Sequence, residues 1–389
     1  MRGNWRLHLK KLHWMSVPLL IFLVTRLGIA LVAYVSAPLI ADSSVPPYHI
    51  RPDQTILDVF GSRWDTGFYL SIAEEGYKVE DVQFPSVAFF PLLPLLIRLA
   101  SLLTGDTLIA GLIVSNLALC GASIIFYRLV LEEFGEETAG RAVWYLLIFP
   151  TSFFGSAIYS ESLFLLCAVS ALYLFRKGFW ESAAMLGVLS ALTRFMGLLV
   201  APLLLLEWWM LRRRNAPENR PPLLALQAPA LTPLGTLGYM LYLQNRFGDP
   251  LAFLHASAAW GRQPQSPLAT ILEMLRPPAE GWWSALGAGH LPLDNWIDLL
   301  FVLLFVALGC VLLWQRRWGE GAYVLLGSLI PLSTALLMSQ RRYVWVLFPA
   351  FILLARWGQR PWLDRLITVL SLLGLGLFTA MFANWYWVG

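Results

Sequence analysis

The sequence predicts an all-α protein that crosses a membrane many times, and three observations carry that prediction. Hydrophobic residues make up 58% of the 389 positions and charged residues 13%, about half the charged share of an ordinary soluble domain. The mean hydropathy is +0.64. The apolar residues fall in runs that approach the roughly 20 residues a helix needs to cross the hydrocarbon, separated by short charged or Pro/Gly-bearing links.

The amino-terminal residues MRGNWRLHLKKLHW are basic and lead into an apolar stretch at 17–40. It is too long for a signal-peptide core and lacks a clear small-residue cleavage site, so it reads as an uncleaved first span. Further apolar segments lie near 86–104, 107–130, 140–158, 161–175, 179–194, 196–211, 222–244, 296–314, 320–338, 342–357 and 362–385. If all of these cross, the Lys/Arg-rich links alternate between the two sides, against the positive-inside rule. The 86–104 segment carries Pro91, Pro94 and Arg98, which suits an interfacial or re-entrant piece. Setting it aside leaves about 11 transmembrane helices in one domain over 1–389, with the N terminus cytoplasmic and the C terminus outside. Of the 28 Lys and Arg, 17 then lie inside, 10 outside, and Arg26 alone within a span.

Two long loops fall outside, about 41–106 and 245–295, the first with juxtamembrane helices. Between 41 and 85, Asp42, Asp53, Asp58, Asp65, Glu74, Glu75, Glu80 and Asp81 face only Arg51, Arg63 and Lys78. Chemistry is expected between these loops. The net charge of +4 follows from the cytoplasmic Lys/Arg excess, and nucleic acid is not an expected partner. Cys120, Cys167 and Cys310 sit inside apolar runs with no partner at ligand spacing, so neither a disulfide framework, a metal nor another cofactor is expected.

The run RWDTGFYLSIAEEGY concentrates the chemistry. Trp64, Phe68 and Ile72 recur at near-helical spacing and predict an interfacial helix closed by Gly76. Asp65 is either a helix-start residue favoured by the dipole or a general base at a cavity beside the membrane. Glu75 reads as solvated, whereas Glu74 is divided between a structural role and the same cavity. Tyr159-Ser160-Glu161-Ser162 separates two apolar runs; Glu161 there either caps the next helix or serves a functional partner, because a carboxylate at that depth is costly unless paired. Arg26, Arg194 and the adjacent Arg341 and Arg342 can pair with carboxylates or bind phosphate through the guanidinium fork. Arg26 reads as a structural partner for an internal acid, and Arg341 or Arg342 as the better phosphate candidate. Most of the 18 Trp lie near span ends, including Trp385 and Trp387, as aromatic-belt anchors. Trp260-Gly261-Arg262 stands apart within the second long loop as a candidate acceptor contact.

In order, RWDTGFYLSIAEEGY, AFFPLLPLLIRL, FPTSFFGSAIYSESLF, ALTRFMGL, RFGDPLAFLHASAAWGR and RRYVWVLFPAF resemble the PIG-V-like mannosyltransferases. These are bacterial relatives of the second GPI mannosyltransferase within the GT-C class of polytopic glycosyltransferases. The resemblance runs from about Thr25 to Phe351. It implies a polyprenyl-phosphate-mannose donor, an active site on the outer face of a bacterial plasma membrane, and Asp65 as the catalytic acidic residue of the first outside loop. The family often has proline after the arginine of ALTR, where this chain has Phe195.

On that reading Asp65 is the base and Arg341, Arg342 and Arg194 surround phosphate. Glu161 or Glu74 contacts sugar or supports the site, with Arg63, Trp64, Tyr159, Trp260, Arg262 and Tyr343 as further substrate contacts. Direct displacement from a lipid phosphate inverts the anomeric carbon and needs no obligatory metal. The partners are the lipid donor, the bilayer, and a glycolipid, glycan or protein acceptor. The alternative is a transporter or flippase of a lipid-linked sugar. Transporters place substrate near the midplane on paired repeats, whereas this chain gathers its acids in one outside loop.

Overall fold

The computed structural model describes residues 4–43, 57–79 and 84–389, with side chains of the first helix from residue 14 onward. Arg51, Asp53, Glu80 and Asp81 of the first long loop lie outside the described residues. Among the described residues every regular element is a helix. Five are long and apolar enough to cross a bilayer: Trp14–Ser36, Thr107–Phe134, Phe195–Arg214, Leu293–Trp314 and Pro361–Ala383. The shortest has 20 residues, about 30 Å of helix and therefore the thickness of the hydrocarbon. Leu20, Leu27 and Leu31 on the first and Leu370, Leu373 and Leu377 on the last stay exposed, as lipid-facing positions do.

Other apolar runs are interrupted where a single span was expected. The 140–158 run is helical only from Glu136 to Ile148 and continues as a short 3-10 turn, Ser152–Gly155, before the Glu161–Arg176 helix begins. Backbone groups freed by such a break need partners when water is absent. Arg26 supplies them: its Nη1 donates to the Ser152 carbonyl (2.8 Å) and its Nη2 to the Leu147 carbonyl (2.6 Å). Arg26 thus serves backbone carbonyls rather than the internal acid expected for it. Asn116 donates to the Ser156 carbonyl at 3.1 Å, and Thr151 to that of Arg341 at 3.0 Å. The expected span near 342–357 is likewise split into Gln340–Trp345 and Pro349–Trp357.

The 86–104 segment forms a 13-residue helix, Leu92–Thr104, about 20 Å long and short of a crossing. It turns through Gly105, at φ 72°, and folds back on the Thr107–Phe134 helix. Arg98 caps the preceding Thr66–Glu75 helix, donating to the Ala73 carbonyl at 2.6 Å and the Glu74 carbonyl at 3.0 Å, two of the acceptors a helix end leaves open. The Thr66–Glu75 helix does end at Gly76, but it does not lie on the lipid surface. Phe68, Tyr69, Leu70, Ile72 and Ala73 are all buried, because the Leu92–Thr104 helix and the second long loop cover it.

The opposite end of the bundle is held by charge. Arg176 pairs with Glu207 (2.7 Å), Glu320 (2.9 Å) and Glu133 (3.1 Å), and Arg317 with Glu133 and Glu320. Glu161 and Arg176 are the two ends of one helix, about 23 Å apart along its axis.

Candidate active site

The breaks in the helices place side chains around one cavity of about 580 Å³. Asp65 stands just before the Thr66–Glu75 helix without capping it through its side chain. Trp64, in the left-handed region at φ 54°, redirects the chain so that the carboxylate points inward. Asp65 Oδ2 lies 2.8 Å from Arg342 Nη1, and its backbone N–H donates to the Tyr159 hydroxyl at 3.2 Å. Such backbone costs roughly 1–3 kcal/mol and persists where surroundings fix it. Here Trp385 and Trp387 pack edge-on against the Trp64 ring.

Glu161, 1% exposed, continues the charge chain. Its Oε1 is 3.4 Å from Arg342 Nε and 3.0 Å from Arg194 Nη1. Ser160 precedes its helix without a side-chain cap, and Glu161 stands in the first turn with its carboxylate facing both arginines. Arg194 sits in extended backbone between the Trp180–Thr193 helix and the Phe195–Leu199 turn. The helix ends at Thr193 without a following proline, because Gly197 lets the turn fold tightly onto it: a Cβ there would lie 2.0 Å from the Ser190 carbonyl oxygen.

The third cation comes from the second long loop. Arg262 donates to Thr334 Oγ1 at 3.0 Å and to the Tyr343 hydroxyl at 3.1 Å, while Arg342 reaches the same hydroxyl at 3.4 Å. Trp260 packs on Phe68, Phe84 and Phe89, with ring centroids 5.8, 5.2 and 5.9 Å apart. Phe90, Phe195, Phe253, Leu254 and Ile330 complete an apolar wall. Tyr69 donates to Ser160 Oγ at 3.1 Å; burial and the nearby Glu161 charge push its phenol up and keep it neutral. Polar groups at one side and an aromatic wall at the other suit a ligand that is both charged and greasy.

Of the residues singled out in the sequence, Trp64, Asp65, Tyr159, Glu161, Arg194, Trp260, Arg262, Arg342 and Tyr343 line this cavity. The other three stand elsewhere. Arg341 is fully buried, pairing with Asp298 at 3.1 Å and with Asp294. Glu74 accepts a hydrogen bond from Thr107. Arg63 donates to the Ala383 carbonyl at 3.3 Å and stacks on Trp385 at 4.3 Å. Sequence reasoning missed Trp387, which lines the cavity with Arg342 stacked 5.5 Å from its ring centre. The C-terminal residues fold inward over the site, tied by Ser43 donating to the Asn384 carbonyl at 3.0 Å, instead of anchoring at the aromatic belt. Among the described residues no group of three or more His, Cys, Asp or Glu is placed to hold a metal ion.

No curated protein sequence matches this chain significantly. Among solved structures, the Archaeoglobus fulgidus oligosaccharyltransferase in complex with zinc and sulfate aligns with a TM-score of 0.48 and 15% identity, over 95% of this chain and 53% of that one. AglB from the same organism, with an inhibitory peptide and a dolichol-phosphate, gives 0.45 and 14%, over 98% and 57%. ArnT from Cupriavidus metallidurans, bound to undecaprenyl phosphate, gives 0.49 and 12%, over 94% and 76%. The chain spans about half the length of the archaeal structures it matches. Residues 12–209, just over half of the sequence, match the family described as Mannosyltransferase (PIG-V). The chain belongs to the mannosyltransferase (PIG-V) family.

Proposed function

We propose that this membrane protein transfers a mannosyl residue from a polyprenyl-phosphate-mannose donor to a hydroxyl of a lipid-linked or surface acceptor, with inversion and with Asp65 as the general base. The observation that carries the reading is the charge balance of the cavity. Two carboxylates, Asp65 and Glu161, face three guanidiniums, Arg194, Arg262 and Arg342, which leaves one positive charge for the single negative charge of a phosphodiester. The adjoining wall of Phe89, Phe90, Phe195 and Phe253 suits the isoprenoid that follows the phosphate.

In the reaction Asp65 accepts the proton of the acceptor hydroxyl as its oxygen attacks C1 of the mannosyl group. The bond from C1 to the phosphate oxygen breaks, and the lipid phosphate leaves with a second negative charge. Arg342 and Arg262, held apart by the Tyr343 hydroxyl they share, are placed to stabilise that charge where it develops. Glu161 holds Arg194 and Arg342 at fixed spacing. Arg342 therefore stands between the base and the leaving group, where donor phosphate competes with Asp65 for its guanidinium.

The Lys/Arg-rich links gathered at the far end of the bundle support a cytoplasmic N terminus and a cavity on the outer face of the membrane. The test is transfer by the purified protein from synthetic short-chain polyprenyl-phosphate-mannose, with the product's anomeric configuration read by NMR. An α-mannoside from a β-linked donor supports the reading; a β-mannoside removes the direct displacement, and absence of transfer across glycolipid, glycan and peptide acceptors removes the donor assignment.

A further inference from the structure

At the end of the bundle away from the cavity, a pocket of about 170 Å³ is lined by Trp209, Met210, Arg213, Arg214, Arg316 and Trp318. We propose that this pocket binds the phosphate of an anionic phospholipid head group, in the leaflet opposite the active site. The inference is independent of the transfer chemistry proposed above.

Position comes first. Phe195 at one end of the Phe195–Arg214 helix lines the large cavity, and Arg213 and Arg214 at the other end line this pocket. The distance between them is about 28 Å along the helix, so the pocket lies at the depth of the other leaflet's head groups. Trp209 and Trp318 flank it, side chains that favour this boundary.

Charge comes second. Arg176 and Arg317, at the same end, are matched by acids, sharing Glu133, Glu207 and Glu320 between them, and Arg356 donates to Gln315 at 2.9 Å. Among the described residues, no carboxylate lies within ion-pair distance of Arg213, Arg214 or Arg316 in this way. Arg213 stacks on Trp209 at 4.2 Å from the ring centre, which fixes its guanidinium plane without neutralising it. Arg214 donates to the Arg316 carbonyl at 3.1 Å and so draws the two chain segments together. Arg316 itself is in the left-handed region at φ 61°, and that turn presents its side chain to the pocket. Three like charges in one concavity repel each other unless an anion joins them. The volume equals that of about five or six waters, enough for one phosphate and the first atoms esterified to it. Guanidinium forks favour phosphate oxygens geometrically. A soluble phosphate compound shares this chemistry, and the experiment separates the two sources.

Purified protein in neutral detergent is titrated with short-chain phosphatidylglycerol and phosphatidylcholine, followed by native mass spectrometry, and separately with inorganic phosphate, followed by melting temperature. Apparent affinity for phosphatidylglycerol is expected to exceed that for phosphatidylcholine. It should fall about fivefold in Arg316→Gln and roughly a hundredfold in the Arg213→Gln/Arg214→Gln/Arg316→Gln variant, at the usual contribution of each basic residue near anionic lipid. Arg360→Gln/Arg365→Gln, which lies outside the pocket, should retain wild-type affinity. Because the Arg316 guanidinium has no ion-pair partner among the described residues, the single variant keeps the test valid if the triple variant folds poorly. Stabilisation by inorganic phosphate that is lost in Arg316→Gln, without a phosphatidylglycerol preference, supports the phosphate pocket but moves its ligand from lipid to solution. Wild-type lipid affinity in both pocket variants with no phosphate effect overturns the proposal, as does an equal loss in the Arg360→Gln/Arg365→Gln control.

Discussion

Replacing Glu161 by Gln removes one charge from a buried chain that runs Asp65, Arg342, Glu161, Arg194. Glu161 side-chain exposure is 2%, against 8% for Arg342 and 14% for Arg194, so solvent cannot compensate for the loss. At the effective dielectric of such sites, unit charges at these separations attract by about 5 kcal/mol before the cost of dehydration. Removing one partner of a buried pair costs about 3–5 kcal/mol in practice, because the remaining charges stay buried. Glu161→Gln should therefore destabilise by about that amount. The companion change Arg194→Gln removes the charge that Glu161→Gln strands, so the double variant should be more stable than the sum of the singles by about 1–3 kcal/mol. The assay is reversible unfolding of all four proteins in mixed micelles, read by tryptophan fluorescence. Additivity within about 0.5 kcal/mol would mean that Glu161 and Arg194 do not act as a pair.

Three further substitutions test how the cavity wall is built. Gly197→Ala places a Cβ 2.0 Å from the Ser190 carbonyl oxygen and 2.5 Å from the Ala191 nitrogen, backbone atoms that no rotamer change can move; it should lower stability by about 1–3 kcal/mol and reduce transfer. Gly238→Ala, where no atom lies within 4 Å of the added carbon, should leave the melting temperature and transfer at wild-type values in the same experiments. Trp260→Ala removes three aromatic contacts worth about 0.5–1.5 kcal/mol each. It should raise the donor KM roughly tenfold with little change in kcat, measured by initial rates over a range of donor concentrations.

Which residues share the cavity was largely legible in the chain, because charge inside an apolar sequence needs a partner and the same few links supply the candidates. Asp65, Glu161, Arg194 and Arg342 come from four separate segments and still form one chain of contacts. What the sequence did not separate was Arg341 from Arg342. Neighbours on a helix point about 100° apart, and the phase of the Gln340–Trp345 helix is set by the irregular turn before it, where Ser339 has φ 77°. Arg341 turns toward Asp294 and Asp298, one helical turn apart, a matched pair of acids that could have been sought as its partner. Trp387 was hidden for another reason: a tryptophan near a chain end has the same local signature at a lipid boundary as in a folded-back tail. Span boundaries were blurred because apolar composition continues through the break after Ile148, and only the carbonyl-binding arginine on another helix marks where regular hydrogen bonding stops.

The most direct test of the account compares wild type with Asp65→Asn for mannosyl transfer from polyprenyl-phosphate-mannose, alongside donor binding. Asparagine preserves the shape but cannot accept the acceptor proton, so kcat should fall by a factor of about 10²–10⁴ while the donor still binds. Transfer at the wild-type rate by Asp65→Asn would contradict the account, because the carboxylate would then not be the base around which the cavity is read.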